Sequence, residues 1–109
     1  MTGKDRVYGM LGLAARAGKI VSGSDSVIGA IRAGNVELLI ITKDISRNSL
    51  EKILKNTGDR EIACYSFGNS EELGMALGKP DRTVAALTDK SFAEGVSAIL
   101  EKISEEEDT

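Results

Sequence analysis

The chain has 109 residues, of which 41% are hydrophobic and 28% charged, with a formal net charge of −3 and no histidine. This profile predicts one globular domain. No stretch approaches the ~20 apolar residues of a membrane span, and residues 1–5 are too polar for a secretory signal. We therefore expect a cytoplasmic protein. Without histidine the chain lacks the usual general base near neutral pH and the commonest transition-metal ligand, so we expect no catalytic residue, no metal site and no cofactor.

Helices and strands alternate through the first 60 residues. Apolar residues recur at helical spacing in some segments and form short unbroken runs, typical of buried strands, in others. Polar N-caps mark the helix starts and glycines mark the helix ends. These signals predict a helix over 4–17, a strand over 19–22, a helix from 23 to 34, a strand over 36–42 and a helix from 46 to 58.

The second half continues this alternation, with a strand at 61–67, a helix through 77, a strand at 83–88 and a last helix through 103. Asn69 and Glu72 have the spacing of a capping box that opens the short helix. Asp89 is positioned to cap the last helix. The single cysteine, Cys64, has no partner for a disulfide and lies in an apolar run, so we expect it to be buried.

Segments that alternate in this way pack as a sheet covered by helices on both faces. We therefore expect an α/β protein, a three-layer α/β/α sandwich with a mixed sheet of about four main strands. Residues 1–103 form the single domain, and residues 104–109, which carry four acids, are expected to be a disordered, solvated tail.

Charge is distributed unevenly along the chain. Residues 1–60 carry ten Lys and Arg against six Asp and Glu, whereas residues 61–109 carry four against eleven. The basic half contains the turn at residues 22–26, where the start of the second helix aims backbone N–H groups outward and favours an acceptor-rich ligand. The candidate phosphate contacts in this half are Arg16, Lys19, Arg32, Lys43 and Arg47, of which Lys19 and Lys43 flank strand ends.

Structural interpretations compete with these functional ones. Gly23 and Ser24 are also what a helix start requires, and Asp25 near a helix N-terminus stabilises the helix by ~0.3–1 kcal/mol without any ligand. Phe67 is either a base-stacking aromatic residue or a core residue that closes its strand.

Several short motifs in a fixed order point to a family: Leu11-Gly12-Leu13-Ala14, Arg16-Ala17-Gly18-Lys19, Ser22-Gly23, Thr42-Lys43-Asp44, Glu72-Leu73-Gly74, Ala76-Leu77-Gly78 and Thr88-Asp89. Over roughly residues 5–100 the chain resembles the kink-turn-binding ribosomal proteins, the large-subunit seven-Ae and thirty-e superfamily, and most closely its small bacterial YlxQ-type members. The resemblance implies an RNA-binding α/β/α fold whose RNA surface joins the start of the second helix to the loop before the Glu-Leu-Gly helix.

We therefore predict a monomeric, noncatalytic protein that binds structured RNA, ribosomal or kink-turn-like, in connection with translation and alongside protein partners in a ribonucleoprotein. The predicted RNA-binding residues are Arg16, Lys19, Ser22, Gly23, Ser24, Asp25, Ser26, Lys43, Phe67, Gly68, Asn69 and Ser70. Where the family reads Gly-Thr-Asn-Glu-x-x-Lys, this chain has Asp25, Ser26 and Gly29, which withhold the expected base contacts. Two alternatives remain: a protein-interaction adaptor that kept the fold but lost kink-turn recognition, and a small-molecule or enzymatic role.

Overall fold

The computed structural model describes residues 2–107, which form five helices and four strands. Their order follows the alternation predicted from the sequence. The elements are α1 (Gly3–Arg16), β1 (Ile20–Ser22), α2 (Ser24–Arg32), β2 (Leu38–Ile41), α3 (Arg47–Thr57), β3 (Ala63–Ser66), α4 (Ser70–Leu77), β4 (Val84–Leu87) and α5 (Lys90–Glu107).

The four strands form one mixed sheet in the order β1-β4-β2-β3. β4 pairs antiparallel with both β1 and β2, and β3 pairs parallel with β2. β2 and β4 are central, and every residue of both strands is buried. This agrees with their nearly continuous apolar sequences, because a strand covered on both faces has no solvent-exposed side.

Alternate residues of the central strands face two separate cores. Leu38 and Leu87 pack with apolar residues of α1, α4 and α5. Leu39 and Val84 pack with apolar residues of α2 and α3. The sheet therefore lies between two helical layers, and the predicted three-layer α/β/α sandwich is confirmed.

Polar side chains cap the helices where the sequence indicates. Asn69 Oδ1 accepts a hydrogen bond from the backbone N–H of Glu72 at 2.8 Å, and Asp89 Oδ2 accepts one from the N–H of Phe92 at 3.0 Å. The second half of the expected capping box is absent from the described hydrogen bonds. The Glu72 carboxylate instead accepts a hydrogen bond from the Tyr8 hydroxyl at 3.0 Å and pairs with Lys4 Nζ at 2.6 Å, which joins α4 to α1.

The expectation that Cys64 is buried is wrong, because its side chain is exposed. Cys64 lies on β3, which pairs with β2 alone among the described strands and forms one edge of the sheet. Three of the four residues of β3 are exposed. An apolar sequence predicts the strand itself, but its position at the edge depends on pairing with a strand over 20 residues away.

The last helix extends further than expected. α5 continues to Glu107 rather than ending at Ile103, so residues 104–107 are helical where a disordered tail was expected. Neither glycine nor proline interrupts this segment, and glutamate has a good helix propensity. Asp108 and Thr109 lie outside the described residues.

The part of the chain that the structure describes contains neither a membrane-spanning helix nor a cluster of metal-binding side chains. No helix there is long and apolar enough to cross a membrane. Within the same residues, no three Cys, Asp or Glu side chains are grouped so that they would hold a metal ion.

Candidate nucleic-acid interface

Four turns meet at one edge of the sheet. β1 and β2 run antiparallel to β4, and β3 runs parallel to β2, so the ends of these three strands lie at the same edge as the start of β4. We name this edge the loop edge and define it as residues 22–26, 42–46, 67–70 and 78–83. It contains six of the predicted site residues between 22 and 43 and all four between 67 and 70.

Main-chain hydrogen bonds of 2.9–3.0 Å tie the four turns together: Gly23 N–H to Val84 O, Thr42 N–H to Thr83 O, Lys43 N–H to Gly68 O, and Arg82 N–H to Ser70 O. The Asp44 carboxylate adds a further link, because it accepts hydrogen bonds from the hydroxyl of Ser70 at 2.7 Å and from its backbone N–H at 3.0 Å. The Ser70 hydroxyl is the main reason that the pKa of Asp44 lies below its usual range. The loop edge is therefore one connected surface rather than four independent loops.

α2 begins at this edge with its first backbone N–H groups uncovered. Its N-cap, Gly23, has a φ of 90°, which favours glycine, and it has no side chain to accept a hydrogen bond. The N–H groups of Ser24, Asp25 and Ser26 have no hydrogen-bond partner among residues 2–107. These donors and the positive end of the helix dipole are available to an acceptor-rich ligand, as the sequence predicts.

The Asp25 side chain lies beside these donors. It is 97% exposed, and its Oδ1 is 3.7 Å from Lys52 Nζ. An exposed pair at this distance contributes at most about 1 kcal/mol. The carboxylate opposes the approach of a phosphate, and Lys52 offsets part of that negative charge.

Arg82 is a functional candidate that sequence reasoning missed. Its Nε donates a hydrogen bond to Ser22 Oγ at 3.1 Å, and its Nη1 donates one to the backbone oxygen of Asp81 at 3.1 Å. Its backbone N–H donates to Ser70 O, so this half-buried residue joins the turn that opens α2 to the turn that opens α4. The available signal was a basic residue in the polar segment directly before a buried strand.

The turn at residues 67–70 is built largely from structural contacts. The Phe67 ring packs on the Tyr8 ring with their centroids 5.2 Å apart, which favours the core interpretation of Phe67 over base stacking. Gly68 has a φ of 64°, and a Cβ at this position would collide with the Tyr8 hydroxyl. Asn69 is the N-cap of α4 and Ser70 is bonded to Asp44, so this turn leaves mainly its backbone and the Asn69 amide nitrogen for a ligand.

The structure places Lys43, Arg47 and Arg16 at or next to the loop edge but leaves Lys19 away from it. Lys43 is exposed at the loop edge, and Arg47 is exposed at the start of α3. Arg16 lines a groove of about 500 Å³ together with Ser22 and Lys79. Lys19 precedes β1 and lies at the opposite end of that strand, where its backbone oxygen accepts a hydrogen bond from the N–H of Thr88. The structure therefore does not bring Lys19 to the loop edge.

Comparison with known proteins identifies relatives along nearly the whole chain. Residues 5–97 match the model of the ribosomal protein L7Ae/L30e/S12e/Gadd45 family. The chain is 35% identical over 94 residues to the RNA-binding protein YlxQ of Bacillus subtilis (strain 168), covering 86% of this chain and 94% of that protein. It is 38% identical over 69 residues to the large ribosomal subunit protein eL30 of Methanosphaera stadtmanae, covering 62% and 70% of the two chains.

Solved structures share the fold. A protein of unknown function from Bacillus halodurans superposes with a TM-score of 0.81 at 33% identity, covering 87% of this chain and 96% of that chain. The Giardia lamblia 15.5kD RNA binding protein superposes with a TM-score of 0.73 at 19% identity, covering 95% and 90%. At 19% identity the second likeness concerns the fold alone.

Proposed function

Since the chain belongs to the ribosomal protein L7Ae/L30e/S12e/Gadd45 family, we propose that it is a noncatalytic, cytoplasmic RNA-binding protein whose loop edge binds structured RNA. The observation that carries this proposal is the uncapped start of α2, held beside Arg82 at a loop edge that also contains Lys43. The YlxQ relatives are described as RNA-binding proteins, which supports the same assignment.

Two kinds of contact are expected at the loop edge. The Arg82 guanidinium and the Lys43 ammonium would meet phosphates, which provide affinity and orientation but no sequence information. The free N–H groups of α2 and the hydroxyls of Ser22, Ser24 and Ser26 would bond to base edges or sugars. This division predicts a salt-dependent interaction with limited base specificity.

We expect the protein to recognise kink-turn RNA only weakly. When ionised, Asp25 only accepts hydrogen bonds, whereas the amide of the family's asparagine also donates them. Ser26 is too short to reach a guanine edge from this position, and Gly29 contributes no side chain. We therefore propose ribosomal or other folded RNA as the ligand and a role connected with translation.

A protein-interaction adaptor is the second candidate. The exposed Asp25 carboxylate at the start of α2 favours it, because this negative charge repels RNA phosphates. If the loop edge bound protein instead of RNA, the logarithm of its affinity constant for RNA would not fall steeply and linearly with the logarithm of the salt concentration.

Two lysines provide a matched test. We would titrate a fluorescent RNA stem-loop with an internal loop at several salt concentrations, using the wild-type protein, Lys43→Gln and Lys19→Gln. If Lys43 contacts a phosphate, Lys43→Gln reduces the slope of log K against log salt by about 0.7–0.9, and Lys19→Gln leaves it unchanged. Salt-independent or undetectable binding of the wild-type protein would overturn the proposal.

A further inference from the structure

A groove of about 670 Å³ lies between α2 and α3. Three of its side chains are cations and one is a carboxylate. It is lined by Asp25, Ile28, Gly29 and Arg32 from α2 and by Lys52, Lys55 and Asn56 from α3. We propose that this groove, which we name the α2/α3 groove, binds the sugar–phosphate backbone of an RNA strand that continues from the loop edge; this inference rests on the function proposed above.

The groove is continuous with the start of α2. Asp25, Gly29 and Arg32 are spaced i, i+4 and i+7 and therefore lie along one face of that helix. At a rise of 1.5 Å per residue they extend over about 10 Å, which is long enough to meet more than one phosphate of a strand. A strand bound at the free N–H groups of α2 would enter the groove directly.

Arg32 is held in place for such a contact. Its Nε donates a hydrogen bond to Asn56 Oδ1 at 3.0 Å, and Asn56 Nδ2 donates one to the backbone oxygen of Lys52 at 2.8 Å. The terminal nitrogens of Arg32 have no hydrogen-bond partner within residues 2–107. A planar guanidinium fixed in this way is suited to the paired oxygens of a phosphate and loses little freedom on binding.

Gly29 leaves the α2 side of the groove open. Glycine inside a helix is less favourable than alanine, and no packing contact explains it here, because a Cβ at this position would meet nothing within 4 Å. A side chain introduced there would extend into open space beside a bound strand, so its charge rather than its bulk should decide the effect on binding. Lys52 and Lys55 line the opposite side of the groove from α3.

The cations of the groove also suit two roles that do not involve RNA. Arg32 and Lys55 lie in the last turns of their helices, where a positive charge is favourable by itself. An acidic polypeptide would also be attracted to the groove. RNA is favoured over the polypeptide because the groove continues from the uncapped N-terminus of α2 and presents a guanidinium suited to phosphate.

Substitution of Gly29 gives a test that does not endanger folding. Because the position is open and any non-glycine residue except proline suits a helix better, Gly29→Glu and Gly29→Gln should both fold with thermal midpoints at or above that of the wild type. We expect Gly29→Glu to weaken binding of the RNA stem-loop about tenfold and to reduce its salt slope by about one. Gly29→Gln, which has the same shape without the charge, should change the affinity less than about threefold.

A second pair of variants tests the opposite side of the groove. Lys52→Gln with Lys55→Gln should reduce the salt slope by about 1.4–1.8, at 0.7–0.9 for each phosphate contact. Lys90→Gln with Lys102→Gln, on α5, removes the same charge from another surface and should leave the slope within about 0.3 of the wild-type value. Equal slopes for the two double variants would overturn the groove assignment.

The proposed function and this inference fail in different ways. If Lys43→Gln weakens binding but Gly29→Glu and the α3 double variant behave like their controls, the loop edge still binds RNA and the groove does not. If poly-glutamate displaces the RNA from the wild-type protein at equal charge and ionic strength but not from the α3 double variant, the groove is a site for acidic polypeptide and the inference is overturned. If the wild-type protein binds no RNA, both proposals fail.

Discussion

Arg82 Nε lies 3.1 Å from Ser22 Oγ and donates a hydrogen bond to it across 60 residues of sequence. A further hydrogen bond, from Nη1 to the backbone oxygen of Asp81, holds the guanidinium against its own turn. The result is a fixed positive charge beside the uncapped N-terminus of α2, where the helix dipole is also positive. The positive charge and free N–H donors that phosphate binding requires are therefore assembled from two distant segments of the chain.

Replacement of Arg82 by alanine should weaken binding of structured RNA about tenfold and reduce the salt slope by about one, because one phosphate contact is lost. Arg82→Lys retains the charge but not the planar guanidinium, so it should keep the slope and recover only part of the affinity. Lys102→Ala, on α5, is the control. Fluorescence anisotropy at several salt concentrations measures both quantities, and a slope unaffected by Arg82→Ala would exclude this side chain from the interface.

Gly68→Ala should destabilise the protein by about 2–5 kcal/mol. The positive φ alone costs an alanine about 1–2 kcal/mol, and the collision of its Cβ with the Tyr8 hydroxyl adds about 1–3 kcal/mol. Gly78→Ala is the matched control, because Gly78 has a φ of 68° and its Cβ would meet nothing within 4 Å. Urea denaturation should show that only the φ contribution, about 1–2 kcal/mol, is lost at Gly78.

The collision can be isolated by changing Tyr8. Tyr8→Phe removes the hydroxyl oxygen, so Gly68→Ala should cost less in that background, although the ring carbon Cζ would still lie 3.1 Å from the new Cβ. A double-mutant cycle measures the difference. Equal costs in both backgrounds would mean that the backbone conformation, not the contact with Tyr8, requires the glycine.

Local patterns account for the parts of the fold that were predicted correctly. The caps Ser46, Asn69 and Asp89 and the unbroken apolar runs of β2 and β4 are short-range signals, and alternation of helices with strands then defines an α/β sandwich. The resemblance inferred from the ordered motifs agrees with the family match over residues 5–97. Sequence motifs therefore identified both the fold and the family.

Strand direction and strand order account for the features that the sequence did not predict, namely the positions of Lys19 and Arg82 and the exposure of Cys64. Lys19 and Lys43 both flank strands, but one precedes its strand and the other follows it, so parallel strands place them at opposite ends of the sheet. Arg82 reaches the same edge as Lys43 only because β4 runs antiparallel to β2. Cys64 is exposed because β3 is an edge strand, which depends on long-range pairing.

Protonation of the Glu72 carboxylate should make the protein less stable in acid. The hydrogen bond from Lys4, followed by that from Tyr8, lowers the pKa of the Glu72 carboxyl in the folded state. A lowered folded pKa means that the carboxylate contributes stability above the unfolded pKa, about 4.3, and that this contribution is lost as the pH falls towards the folded pKa. The free energy of unfolding should therefore fall in this window.

Glu72→Gln should flatten this acid dependence in urea denaturation measured between about pH 5 and pH 3. Glu71→Gln is the matched control, because both residues lie in the first turn of α4 and share the helix dipole, whereas the Glu71 side chain has no hydrogen bond or ion pair within the described part of the chain. If Glu71→Gln flattens the acid dependence as much as Glu72→Gln, the dipole is responsible rather than the contacts with Lys4 and Tyr8.

Cys64 should react with iodoacetamide in the native protein, because its side chain is exposed on the edge strand. Partial burial raises the pKa of the thiol, so less thiolate is present at about pH 8 than for an unperturbed cysteine. Alkylation should therefore be complete without denaturant but slower than in urea, with a rate that still rises above about pH 9. Mass spectrometry follows the reaction, and complete protection of the native protein would place the side chain in the core.

The start of α2 provides the sharpest test of kink-turn recognition. Asp25 and Ser26 are exposed and a side chain at position 29 would enter open space, so Asp25→Asn, Ser26→Glu and Gly29→Lys can be combined without repacking the core.

The wild-type protein should bind a kink-turn RNA and a version with its tandem G·A pairs replaced by Watson–Crick pairs about equally. The triple variant should prefer the kink turn, because each good base contact is worth ~1–3 kcal/mol of discrimination. Gly29→Lys alone should strengthen binding of both RNAs through its charge and should discriminate between them less than the triple variant does, because Asp25 and Ser26 still withhold their contacts. If the triple variant also binds both RNAs equally, this turn does not contact base edges, and the adaptor becomes the better account of the protein.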